Sequence, residues 1–277
     1  MQNNRQIVKV KKIKGESKNP IMKIITGSLL VVASIFLIYG CNGKGAAKKE
    51  MQIAAETSAV SDTGYTGIKK YMSGKLLVKE VTFKNGVREG LMKSFYQTGE
   101  LRQSFWYRNG LREDSAKWYY MDGRVFRATP YKNDTINGIQ QQYYTNGLIK
   151  ARIGYLKGLR TTEFKEYKKD GSLIIGYPEL VVTVRDDYRT NGIYRIKLEL
   201  TEKSTSVKFY RGEFLKGVFD TVHYKRINTI KGTGNLDLRK TGSPKPGYVG
   251  VIAEILTNYG NNYLVYKKID LPYNDLN

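Results

Sequence analysis

The chain has 277 residues and a formal net charge of +22, with 22 tyrosines and 28 glycines but only one cysteine and one histidine. A single cysteine excludes a disulfide framework, and one histidine without a second thiol excludes the usual zinc ligand sets and leaves a nucleophile triad only one candidate base. The length is sufficient for two hydrophobic cores.

Residues 1–21 are basic and polar. Lys23 then precedes a mostly apolar run, Ile24 to Tyr39, which ends on Gly40-Cys41. Its 16 residues fall short of the roughly 20 that span a bilayer as a helix, and a small residue before the cysteine suits cleavage. The segment resembles a bacterial lipoprotein signal. Residues 1–40 are therefore read as a signal segment, with Met22 as an alternative start and Cys41 as the lipidated residue; a retained anchor helix is the competing reading. Asn42 is not the aspartate that resembles an inner-membrane retention signal, which implies the outer membrane of a bacterial cell envelope. Residues 41–66, rich in Ala, Ser, Thr, Lys and Gly, read as a flexible tether, with a short helix from Lys48 to Glu56 as the alternative.

From residue 67 to 175 the chain repeats. Gly74, Gly99, Gly123, Gly147 and Gly171 are spaced 25, 24, 24 and 24 residues. An aromatic precedes each (Tyr71, Tyr96, Tyr120, Tyr144, Tyr167), and an aliphatic follows two residues later. Midway lie Asn85-Gly86, Asn109-Gly110, Asn133-Asp134 and Lys157-Gly158, dipeptides that favour two-residue hairpin turns with both central residues at positive φ. Each 24-residue unit is thus predicted to be a β-hairpin, and the set an antiparallel meander. Odd-numbered apolar positions such as Leu101, Phe105 and Tyr107, or Ile149, Ala151, Ile153 and Tyr155, alternate as one face of a strand does. Stacking in register predicts a ladder of cross-strand aromatic contacts among the tyrosines.

The unit aromatic-x-x-Gly-x-aliphatic followed by x-Tyr-x-Asn-Gly, clearest from Tyr96 to Gly110 and from Tyr144 to Gly158, resembles the bacterial MORN-variant repeat proteins often labelled YwqK-family antitoxins. The resemblance covers residues 67–173. It implies a repeat sheet, and its label implies neutralisation of a toxin, which for an exported chain would be an exported or periplasmic one. Asp134 stands where the pattern has glycine, and the half-unit after Gly171 is missing.

Beyond Gly176 the regular glycines stop. Runs from Leu180 to Arg185, Tyr194 to Thr201, Val207 to Phe214, Thr221 to Ile227, Asn235 to Lys240, Tyr248 to Thr257 and Tyr263 to Leu271 alternate with turn residues. Short strands at this density predict an immunoglobulin-like β-sandwich over residues 176–277, with Tyr248 placed like a tyrosine corner. The alternative is an irregular continuation of the repeat sheet.

No phosphate-binding glycine loop occurs, His223 lies in a strand-like run without a nucleophile motif, and Asp186-Asp187 on a strand would point to opposite faces. The expectation is a binding protein, not an enzyme, with no cofactor and no metal. Residues 67–171 hold 21 Lys and Arg against 10 Asp and Glu, half of the +22 charge. Such a sheet can meet an anionic envelope component or a protein; the plainer reading is that an open sheet needs charge to stay soluble and unpaired. Nucleic acid is disfavoured for an exported chain. Tyrosine and arginine are enriched at interface hot spots, which makes Tyr107, Tyr131 and Tyr155 the candidate anchors, with Arg108, Arg124 and Arg127 beside them. Should the sandwich cover that side, the tyrosines become core and the opposite face becomes the site.

Overall fold

The computed structural model describes residues 64–277, except Thr205. Cys41, the signal segment and nearly all of the tether lie outside the described residues. What is described is almost entirely β.

The repeats form β1 (Gly67–Ser73), β2 (Leu76–Lys84), β3 (Val87–Phe95), β4 (Leu101–Arg108), β5 (Leu111–Tyr119), β6 (Val125–Lys132), β7 (Thr135–Ile136), β8 (Gly138–Tyr143), β9 (Ile149–Leu156) and β10 (Leu159–Glu166). Apart from β7, which pairs only with β6, they pair antiparallel in chain order as the predicted meander. Two turn types alternate along it. At Asn85-Gly86, Asn109-Gly110 and Lys157-Gly158 both residues take positive φ, 51 and 76°, 49 and 80°, and 48 and 83°, the requirement of a tight two-residue hairpin. Asp134 takes the glycine's place at φ 61° and uses its side chain: Oδ1 accepts from Arg112 Nε at 2.7 Å and from the Arg112 amide at 2.9 Å.

The other turns are wider. Gly99 N–H donates to Tyr96 O at 3.0 Å while Tyr96 N–H donates to Glu100 O at 2.8 Å, and the pattern recurs at Tyr120 with Gly123 and at Tyr144 with Gly147. Each such glycine sits at φ 83–98°, left-handed backbone that a Cβ would strain. The aromatic and aliphatic positions of the repeat close these turns as cross-strand pairs: Phe95 with Leu101, Tyr119 with Val125, Tyr143 with Ile149 and Tyr167 with Leu173.

Hydrogen bonds between hairpins stack one turn on the next. Asn109 N–H donates to Glu89 Oε2 at 2.7 Å and Gly110 N–H to Arg88 O at 2.9 Å. The same two bonds recur from Asn133 to Glu113 and from Asp134 to Arg112, and again from Lys157 to Asn137 and from Gly158 to Ile136. Along the other edge, Tyr96 Oη donates to Tyr119 O (2.7 Å), Tyr120 Oη to Tyr143 O (2.9 Å) and Tyr144 Oη to Tyr167 O (2.7 Å). The expected tyrosine ladder is therefore one of hydroxyl-to-carbonyl bonds, not of ring contacts. Equivalent tyrosines lie two strands apart, about 9.5 Å, too far for their rings to touch.

The remaining chain forms β11 (Leu180–Asp187), a helical turn Tyr188–Asn191, β12 (Ile193–Leu200), β13 (Val207–Arg211), β14 (Val218–Phe219), β15 (Lys225–Ile227), β16 (Thr229–Ile230), β17 (Thr233–Arg239), β18 (Tyr248–Leu256) and β19 (Asn262–Asp270). One sheet runs β11-β12-β17-β16 and the other β15-β13-β18-β19. Lettered in chain order these are A-B-E-D and C′-C-F-G, the two sheets of an immunoglobulin-like sandwich. Leu198 and Leu238 from one sheet and Phe209, Val251 and Ala253 from the other are fully buried together. The position that carries tryptophan in antibody domains, on the third strand, is Phe209, which is 0 % exposed; a Cβ on Gly234 would come within 2.6 Å of its ring, so the facing strand needs glycine there.

Two local expectations are corrected. Tyr248 is no tyrosine corner: its ring is partly exposed, beneath Lys268 Nζ at 4.4 Å. Thr221–His223 is a 3-10 turn and not a strand, because the Asp220 side chain accepts from Val222 N–H at 3.1 Å and curls the chain.

The sandwich also completes the repeat sheet. β14 leaves it to pair with β10, Arg160 opposite Phe219 and Thr161 opposite Val218, in the place of the missing half-unit. Glu166 at the end of β10 is 0 % exposed and accepts from Asn261 Nδ2 (2.7 Å), Thr257 Oγ1 (2.9 Å) and Tyr177 Oη (3.3 Å). Tyr177 stacks on Tyr263, and Phe164 packs against both. Burial, and after it the Glu166 carboxylate, raises the Tyr177 phenol far above its usual value. All described residues fall in one compact unit.

Candidate functional site

Residues directly opposed in an antiparallel ladder share a face, so the registers sort the repeat sheet into two sides. The inner side carries Val81, Met92, Phe105, Tyr107, Thr129, Tyr131, Ile153 and Tyr155. Here the predicted anchors are already engaged. Tyr107 is 7 % exposed and packs with Val81, Phe83 and Met92. Arg88 lies 4.7 Å from its ring centroid, Arg112 lies 4.3 Å from that of Tyr131, and Arg160 lies 5.9 Å from that of Tyr155. Burial pushes the phenols of Tyr107 and Tyr155 above their ordinary value, against the opposing pull of these guanidinium groups. Cation over ring is thus an internal contact of the sheet, repeated along it. The arginines responsible, 88, 112 and 160, were not among the predicted ones, although each follows its turn dipeptide by two residues.

The predicted arginines do not form one site. Arg127 is on the inner side, 4.1 Å from the Trp118 ring. Arg124 is held inside its turn by Asp122, Nη2 to Oδ2 at 2.8 Å. Arg108 is exposed on the opposite side. The inner side is also where the sandwich docks: Gln142 Nε2 donates to Asn261 Oδ1 (2.8 Å) and Arg160 Nη2 to Asn262 O (2.7 Å), beside Glu166 and Phe164. Tyr107 is a core side chain, Tyr131 and Tyr155 are half-buried beside their arginines, and the opposite face is the one away from these contacts with the sandwich.

On this outer face an unbroken register row crosses nine strands: Lys70, Glu80, Lys93, Ser104, Lys117, Ala128, Gln141, Arg152 and Lys165. Eight strand spacings make it about 38 Å long. Glu80 pairs with Lys70 at 3.7 Å. Lys93, Lys117, Arg152 and Lys165 have no carboxylate within ion-pairing distance among the described residues. Two residues beyond Lys93, Lys117, Gln141 and Lys165, on the same face, stand Phe95, Tyr119, Tyr143 and Tyr167, all half-buried. Two of their hydroxyls are fixed back into the row, Tyr119 Oη to Ser104 Oγ (3.1 Å) and Tyr143 Oη to Gln141 Oε1 (2.7 Å). On the other flank Leu91 opposes Trp106, which is 42 % exposed. Of the face's acids, Glu89 and Glu113 are turned to the amides of Asn109 and Asn133; Glu163 sits beyond them on β10. The row is a lane of cations beside a rail of aromatic rings. Its signal in the sequence was Lys-x-aromatic recurring at the hairpin period, at Lys93, Lys117 and Lys165.

Catalytic features are weak by comparison. A hollow of about 240 Å³ lined by Tyr120, Phe126, Arg127, Gln142, Tyr143 and Lys150 is smaller than the roughly 300–1,000 Å³ of ligand pockets. His223 Nδ1 lies 2.8 Å from Asp220 Oδ2 on the surface; the Val222 amide and then the imidazole hold that carboxyl below its ordinary range. Asp186 is engaged by Tyr188 and Tyr273, and Asp187 by Arg185 and Arg195. Among the described residues no group of acidic, histidine or cysteine side chains could hold a metal ion, and no helix is long and apolar enough to cross a membrane. No family model matches this chain, and neither does any curated protein.

Proposed function

We propose that this is a lipid-anchored binding protein of the bacterial cell envelope, which recognises its partner with the outer face of the repeat sheet. The observation that carries the reading is a register row in which Lys93, Lys117, Arg152 and Lys165, spread over seven strands, have no carboxylate partner among the described residues, on the side of the sheet opposite the contacts with the sandwich. Placing unpaired like charges in one row is electrostatically costly, and solubility alone would be served as well by charges scattered or paired. The resemblance to MORN-variant repeats supports a recognition role for the sheet, and the lipobox-like end at Gly40-Cys41 supports the anchor.

Two measurements test it. Metabolic labelling with a fatty acid should mark the protein, and Cys41→Ser should abolish the label; persistent labelling rejects the anchor. Purified protein should be retained by cell-envelope fragments at physiological salt, and Lys93→Gln, Lys117→Gln and Lys165→Gln together should release it. Replacing Arg108, Arg124 and Arg127 should weaken retention far less, because only Arg108 is free on the outer face. Equal loss from both triple variants would reject the lane as the site.

A further inference from the structure

We infer that the outer lane takes an extended anionic polysaccharide carrying about one acidic group per disaccharide. The inference rests on the outer face being the binding surface and adds the class of ligand. Lys93 and Lys117 are two strands apart in a continuous register, as are the backbone positions of Gln141 and Lys165. Two strand spacings are about 9.5 Å, close to the length of one disaccharide in an extended glycan. Lys93, Lys117 and Lys165 fall at the first, second and fourth places of this pitch, with Gln141 at the third and Arg152 one strand before Lys165, and so meet a chain whose carboxylates recur at the same interval along one side.

The groups between and beside the cations suit a sugar. Gln141 lies in the lane as a hydrogen-bonding side chain with the Tyr143 hydroxyl turned onto it, and the Tyr119 hydroxyl caps the buried Ser104 beside it. The rings of Phe95, Tyr119, Tyr143 and Tyr167 offer fixed, half-buried edges and faces to the C–H surfaces of pyranose rings, and the exposed Trp106 offers a larger one on the other flank. Single-stranded nucleic acid fits less well: its phosphates recur more closely than these cations, and rings packed into the sheet leave no slot in which a base is held between two platforms. A bilayer presents charge in two dimensions, whereas the four unpaired cations of the row are aligned in one, with Arg108 off to its side.

The test is titration of the full chain in detergent with hyaluronate oligosaccharides of increasing length, whose carboxylates recur once per disaccharide. Affinity should rise with length and level off at about eight sugars, where the chain fills eight strand spacings. The Lys93→Gln, Lys117→Gln, Lys165→Gln variant should bind on the order of 100-fold more weakly, taking about a fivefold effect per cation at an anionic surface. A variant with Lys203→Gln, Lys225→Gln and Lys245→Gln, equal in charge but altered on the sandwich, should bind as the parent does. Parallel titrations use oligo-dT and vesicles containing phosphatidylglycerol. Lane-dependent binding of either, without binding of hyaluronate, overturns the glycan assignment and leaves the outer-face reading standing. Absence of lane-dependent binding to all three, together with envelope retention that ignores the lane, overturns both. Binding of hyaluronate with no dependence on length overturns the register match.

Discussion

At the scale of single residues, two sets of tyrosines do two different jobs. The rings of Tyr107, Tyr131 and Tyr155 lie on the inner side, and the hydroxyls of Tyr96, Tyr120 and Tyr144 tie one hairpin to the next. Tyr120 and Tyr144 each donate one hydrogen bond to a main-chain carbonyl two strands on. Tyr120→Phe and Tyr144→Phe keep the ring and remove only that bond, so each should lower stability by about 1 kcal/mol in denaturant titrations, and the double variant should be close to additive. In the sandwich, burial and the neighbouring Glu254 carboxylate push the Tyr210 phenol up to about 12 from 10.0, Arg226 opposing. Its proton is retained in the folded state after the unfolded chain has lost it. The stabilisation is therefore complete below pH 10 and is lost as pH rises from 10 toward 12. Alkaline unfolding should show this loss, and Tyr210→Phe should make the profile shallower over that window. An unchanged profile would mean that the Tyr210 contact with Glu254 is broken in solution.

At the scale of elements, the turns were the legible part. Glycine and asparagine report backbone φ directly, so the Asn-Gly dipeptides and the 24-residue glycine period located nearly every hairpin. Elements set by tertiary pairing were not legible. β14 is two residues long and has no periodicity of its own; it is a strand because the edge of β10 lies beside it. Where β7 gives way to β8, Gly138 is needed because the Pro130 ring lies 3.1 Å from where its Cβ would sit, a tertiary contact that no local pattern announces. The run from Thr221 looked like a strand because its side chains suit one, and Asp220 overrides that preference locally. The cap on β10 matters for assembly, since an uncovered sheet edge offers unpaired amides and carbonyls to another chain. A fragment ending at Gly176 lacks β14 and leaves Glu166 without Asn261, Thr257 and Tyr177. It should self-associate in sedimentation experiments while the full-length protein stays dispersed. A monodisperse fragment as stable as the parent would show that the sandwich contributes nothing to the sheet.

At the scale of the whole molecule, the sequence located the repeat sheet, and left open which of its two sides is turned to the sandwich. Period-two alternation says that Tyr107, Tyr131 and Tyr155 share a face; it does not say which face the protein uses to hold itself together. That is decided by distant partners, Asn261 and Asn262 reaching Gln142 and Arg160, and by guanidinium groups that become internal once the hairpins stack. On the proposed reading of the lane, the sealed end at β10 and β14 also gives it a fixed origin. Growth by duplication cannot add units beyond β10 without breaking the joint to the sandwich, so new hairpins must enter upstream, and each would lengthen the lane by about 9.5 Å with its origin unmoved. A chain with a second copy of residues 101–124 placed after Arg124 should raise the oligosaccharide length at which hyaluronate affinity levels off by one disaccharide. Repeat number, in that case, is the heritable setting of ligand length.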